Sequence, residues 1–258
     1  MPVAKELTPV NVVDKIKLVI KKGITFKNPV IIEGFQGVGL VGTLAAQYLS
    51  SKKDFETIGY VESEGIPPIA LLVNGEIKNP IKILSNKNHD IIIIESELSI
   101  PRGIIYELSD EIAKWAKRIK AREIICLEGI NVPESERDYE IFGMSTDKKI
   151  MASLIKKGVK KLENGIVIGM SAALLLKCKE YNLPATCLMV ESRPELPDGL
   201  AAAAVLETLG KVHSFSIDVT DLKKQASVFE KKMQKVISHA DHFKIDEGKN
   251  PNKTSIYG

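Results

Sequence analysis

The chain has 258 residues, 44% hydrophobic and 27% charged, with 36 basic against 33 acidic side chains and a formal net charge of +3. That length suits one large α/β domain with appendages. The charges alternate in sign, as in KKLENG and EKKMQK, which excludes a basic stripe for nucleic acid, and no apolar run approaches the ~18 residues of a membrane span.

In chain order, NPVIIEGF (28–35) is the first buried strand, nearly continuous in apolar residues and rich in β-branched ones. A glycine-rich turn follows and opens a helix. Segment 59–84 alternates, and its Asn74-Gly75 pair predicts a β-hairpin or small antiparallel edge. DIIIIESE (90–97) is a second strand. In 101–121, Ile105, Leu108, Ile112, Trp115 and Ile119 recur at helical spacing, with Pro101 near the start where proline is tolerated. Further strands are expected at 122–129, 164–171 and 185–192, and helices at 170–181 and 199–209. Strand–helix alternation implies a three-layer α/β/α sandwich on a mostly parallel sheet, spanning residues 1–220.

From Asp221 the apolar residues Leu222, Ala226, Phe229, Met233, Val236, Ala240 and Phe243 recur in steps of four and three. That heptad seam predicts a helix over 221–243 that packs along another helix, either on its own body or between subunits. Residues 244–255 are polar apart from Ile245, so a flexible tail is expected. It finishes with Ile256, Tyr257 and Gly258.

Three features bear on chemistry. Gly37-Val38-Gly39-Leu40-Val41-Gly42 fits G-x-G-x-x-G after a strand and before a helix, and Glu62 follows at near the spacing of a ribose-binding acid. Two residues, Phe35 and Gln36, separate the strand end at Gly34 from the first motif glycine, whereas a dinucleotide turn is tight. The loop Gly34, Gly37, Gly39 and Gly42 is therefore better explained by close strand-to-helix packing, with a nucleotide- or nucleoside-binding enzyme as the alternative. Four strands end in acid, at Glu33, Glu95, Glu128 and Glu191; paired carboxylates there could bind metal or move protons, but acceptance of loop and helix amides is the simpler role. The histidines, His239 and His242 included, form no ligand set, and no nucleophile elbow is present. No catalytic residue, metal or cofactor is expected. Cys126, Cys178 and Cys187 are widely spaced without C-x-x-C, and the start MPVAKELTPV lacks a signal core, so a reducing, cytoplasmic setting is expected.

Several blocks together resemble the proteasome assembly chaperone family in its archaeal branch. They are IEGFQGVGLVGTLAAQYL (32–49), EGIPPIALLVNGEIKNPIKIL (64–84), the long stretch 169–209, and IDVTDLKKQA (217–226). The resemblance covers roughly residues 5–240. It implies an α/β/α sandwich that self-associates and has no established enzymatic activity. Its partners would be proteasome α subunits or the assembled core particle, with a second family member open as a further partner. Proteasome-binding proteins of this kind end in a hydrophobic residue, a tyrosine and any residue, which Ile256, Tyr257 and Gly258 match. The resemblance thus implies a homo-oligomeric chaperone that docks through its tails, or an activator docking on the core particle in the same way.

Overall fold

Successive side chains of a strand point to opposite faces, and at Val30, Ile31 and Ile32 both faces are fully buried. Helices must therefore cover both sides of that strand. The computed structural model, which describes residues 16–52, 54–131, 138–193, 196–214 and 216–229, has this arrangement. In chain order the elements are β1 (Lys17–Ile20), β2 (Val30–Gly34), α1 (Val41–Ser50), β3 (Phe55–Glu62), β4 (Leu71–Val73), β5 (Glu76–Lys78), β6 (Ile81–Asn86) and β7 (Ile91–Ser96). Then come α2 (Ile105–Arg118), β8 (Glu123–Asn131), β9 (Ile141–Ser145), α3 (Lys148–Lys156), β10 (Lys160–Lys161), α4 (Gly169–Glu180), β11 (Ala185–Ser192) and α5 (Gly199–His213). A further helix, α6, runs over 220–229.

Nine strands form one sheet in the order β1-β3-β6-β7-β2-β8-β11-β9-β10, and β4 with β5 forms a separate hairpin. The centre, β7-β2-β8-β11, is parallel; β6, β3 and β1 extend one side antiparallel, and β9 is antiparallel on the other. On one face Ile31, Ile92, Ile94 and Ile124 pack with Leu108, Ile112 and Trp115 of α2 and Leu174 of α4. On the other, Val30, Ile32, Ile93, Ile125 and Leu127 meet α1, α3, α5 and α6 through Ala45, Leu154, Leu206 and Leu222. Each fully buried isoleucine contributes about 1.5–3 kcal/mol against exposure, so the odd–even alternation of these strands fixes the three layers. Cys126, Cys178 and Cys187 are all free, buried, and on the α2–α4 side. Among the described residues no helix is long and apolar enough to cross a membrane.

One sequence expectation changes, and one stretch adds elements to the expected set. The run at 164–171 is not a strand. The edge pairing ends at Lys161, Gly169 takes a left-handed φ of 77° at the first residue of α4, and Ile166 and Ile168 are 89% and 75% exposed. Of its three consecutive β-branched residues only Val167 packs on the core, so the apolar run imitated a strand without a neighbour to pair with. The elements β9 and α3 lie in a stretch left unassigned from sequence; α3 is started by Asp147, whose Oδ1 accepts the amides of Lys149 (2.7 Å) and Ile150 (2.9 Å).

The C-terminal seam begins on its own body. Leu222 and Ala226 are buried, and Ala226 lies so close to Gly199 that a methyl there would come within 2.7 Å of it. Phe229 is 40% exposed. Met233, Val236, Ala240 and Phe243, and the terminal Ile256, Tyr257 and Gly258, lie outside the described residues.

Candidate functional site: a cleft at the carboxyl end of the sheet

β2 lies between β7 and β8, so the connections diverge from it and leave a crevice above the carboxyl ends of β2 and β8, the usual ligand position in open α/β sheets. The glycine loop forms one wall. All four of its glycines are explained by contact: a methyl at Gly34 would strike Ala46, at Gly37 the Glu128 carboxylate, at Gly39 the Ser192 hydroxyl, and at Gly42 the Leu127 carbonyl. Gly39 also has φ of 61°, a conformation that L side chains rarely adopt. Its carbonyl accepts the amide of Asp198 (2.8 Å). Asp198 is fully buried and caps α5, its Oδ1 accepting the Ala201 amide at 3.0 Å while its Oδ2 accepts the Ser192 hydroxyl at 3.2 Å.

Of the four strand-end acids, two meet. Glu33 and Glu128 fall on the α4 side by the period of two, and Ser171 in the first turn of α4 lies between them. The Ser171 Oγ is 3.0 Å from Glu33 Oε2 and 2.6 Å from Glu128 Oε1. A hydroxyl has one hydrogen to donate. The arrangement is satisfied when a protonated Glu128 donates to Ser171 and Ser171 donates to Glu33, whose Oε1 accepts the Phe35 amide at 3.1 Å. Burial, and next the neighbouring Glu33 charge, push Glu128 up to about 8; burial also raises Glu33 against the hydrogen bonds that lower it. Two carboxyl groups thus share a site with one proton between them near neutral pH.

The other two acids are elsewhere. Glu95 has the opposite parity, faces α1, and is held by Lys82 Nζ (3.0 Å) and the Ser50 hydroxyl (2.7 Å). Glu191 accepts the loop amides of Asp138 (2.8 Å) and Glu140 (3.2 Å), the amide-acceptor role expected from sequence. His213 Nδ1 lies 3.4 Å from Glu123 Oε1, at the far end of β8 from Glu128.

The cleft has a volume of about 860 Å³ and is walled by Leu40, Ile130, Ile166, Ile168 and Met189, with Glu128 at its floor. Among the described residues lining it, Glu128 supplies the one carboxyl group. The sequence reading found both carboxyl groups but missed Ser171 and Asp198. A polar residue at the third position of an apolar helix, and the Asp-Gly-Leu-Ala start of α5, were the available signals.

The sequence pattern of the PAC2 family matches residues 31–237, from β2 through α5 and beyond. The chain belongs to the PAC2 family. An uncharacterized protein of Methanocaldococcus jannaschii is 31% identical over 224 residues, 87% of this chain and 92% of that one. Among solved structures, PbaA of Pyrococcus furiosus, an archaeal homologue of proteasome-assembly chaperone, is 29% identical with a TM-score of 0.80, covering 91% of this chain and 97% of that one. PbaB of the same organism, an archaeal proteasome activator, shares the fold at 24% identity and a TM-score of 0.76, covering 86% and 98%. The matched residues 31–237 include β8 and nearly all of β2, the strands whose carboxyl ends build the cleft.

Proposed function

We propose that this PAC2 protein is a proteasome assembly chaperone that binds proteasome α subunits through its C-terminal tails, displayed on a homo-oligomer, and performs no catalysis. The observation that carries this reading is the likeness to PbaA over 91% of the chain; the ending Ile256-Tyr257-Gly258 supplies the contact. In the proposed complex Ile256 fills an apolar groove between neighbouring α subunits. Tyr257 adds a broad ring with a hydroxyl that finds a polar partner. The Gly258 carboxylate pairs with a lysine in the pocket, as in terminal-carboxylate capture.

A single tail binds weakly, because ordering it offsets much of the contact energy. Several tails on one oligomer bind far more tightly through effective concentration. The polar run 244–255 acts as tether; ~15 residues of random coil reach about 20 Å. The heptad positions Leu222, Phe229, Met233, Val236 and Phe243 set where each tail emerges. Leu222 anchors the start of that helix on the body, and the later positions are assigned to contacts between copies.

The test is binding of the intact protein, and of a form lacking residues 256–258, to archaeal proteasome α subunits and to the assembled core particle. The expected result is binding by the intact form alone, tighter for free α subunits than for the core particle. Preference for the core particle would make the protein an activator using the same tail. Equal binding by both forms would move the contact to the α/β body, and binding by neither would overturn the proposal.

A further inference from the structure

The β4–β5 hairpin is the most exposed apolar feature among the described residues that belong to regular structure. Asn74 and Gly75, with φ of 52° and 81°, form its two-residue turn, a type I′ geometry that matches strand twist. The register pairs Val73 with Glu76, Leu72 with Ile77 and Leu71 with Lys78. Leu72 and Ile77, opposite each other on one face, are 75% and 78% exposed. All three residues of β5 are exposed, and its outer side is an open edge of the two-stranded sheet.

Antiparallel pairs alternate between those that exchange backbone hydrogen bonds and those that do not. In a two-residue hairpin the pair beside the turn exchanges them, so Val73–Glu76 and Leu71–Lys78 are bonded and Leu72–Ile77 is not. The N–H and C=O of Ile77 therefore point away from β4, toward the open edge. An edge strand with outward backbone groups and an aliphatic side chain is a template for another strand.

We propose that the strand it takes is β5 of a second copy, paired antiparallel about a two-fold axis through Ile77. The inference rests on the homo-oligomer element of the proposed function and names the surface. In this register Ile77 meets Ile77 of the other copy as a hydrogen-bonded pair. One face then carries the continuous aliphatic row Leu72, Ile77, Ile77, Leu72. On the other face Glu76 of each copy falls opposite Lys78 of the other. Within one hairpin these two charges already pair with each other, so joining two copies exchanges partners without leaving a charge unmatched. A two-fold contact needs a self-complementary patch, and Glu-Ile-Lys is self-complementary only when read antiparallel.

The experiment is light scattering across a dilution series at low salt for Glu76→Lys, Lys78→Glu, the double exchange, and an equimolar mixture of the two single variants. Each single variant places like charges at both cross-copy positions, and its dissociation constant at this contact should rise about tenfold. The double exchange and the mixture restore opposite charges, and both should recover association. An Ile77→Cys form should cross-link as a disulfide dimer, since a hydrogen-bonded pair places its Cα atoms about 5.5 Å apart. Association of both single variants at wild-type strength would overturn the β5 edge while leaving the oligomer in place. A monomeric wild-type protein would overturn both, and the tail-deletion assay reads α-subunit binding separately from either.

Discussion

Replacing Glu128 with glutamine tests the shared-proton arrangement directly. Folded, Glu128 ionises at about 8, against a reference value of 4.5 for an unperturbed glutamate. Between those values the folded chain keeps a proton that the unfolded chain has released. Stability contributed by this group is therefore complete at pH 4 and falls as pH rises, by about 1.4 kcal/mol per pH unit, until the folded group ionises. At pH 7 the accumulated loss is about 3 kcal/mol. Glutamine presents an N–H donor to Ser171 where the protonated carboxyl presents O–H, and it does not titrate. Glu128→Gln should thus match the wild type near pH 4 and exceed it by about 2–3 kcal/mol at pH 7. The assay is urea denaturation followed by circular dichroism at pH 4, 5, 6, 7 and 8. Parallel stability curves for the two proteins, or a variant weaker at pH 7, would refute the reasoning.

Two further changes probe the supports of the same fold. Asp198→Ala removes the cap of α5 together with the partner of Ser192 in a fully buried position, and should cost about 2 kcal/mol in chemical denaturation. Lys82→Met strips the cation from the buried Glu95, 3.0 Å away. The expected loss is about 3 kcal/mol, with partial recovery when Glu95→Gln is added, because an uncompensated charge costs more than the pair contributes.

The layers of this fold were legible because the central strands are uninterrupted in β-branched residues, and Ile92, Ile93 and Ile94 leave no polar face for solvent. The hairpin was legible from Asn74-Gly75, a pair whose backbone preference is local. The run at 164–171 misled for the converse reason: composition reports that residues are apolar, not that a neighbouring strand is present, and Ile166 and Ile168 face solvent. Glu33 and Glu128 were visible as strand ends, but their meeting was not. Glu95 ends a strand in the same way, yet a parity difference of one residue sends it to the opposite face. Ser171, which joins the pair, lies 138 positions from Glu33, and no local pattern carries information over that distance. The glycine loop showed the same limit in reverse, since its motif was plain and its packing against Ala46, Glu128, Ser192 and Leu127 was not.

The three cysteines of the α2–α4 layer have a practical consequence. Burial raises Cys178 to about 12 and pushes Cys126 and Cys187 well above the ordinary thiol range, so almost no thiolate is present in the closed protein and none is within reach of a reagent. Alkylation in the native protein then waits for that side of the sandwich to part from the sheet. Its rate is a built-in clock for that opening, read without adding a probe, and a thiol introduced on the surface reacts against a silent background.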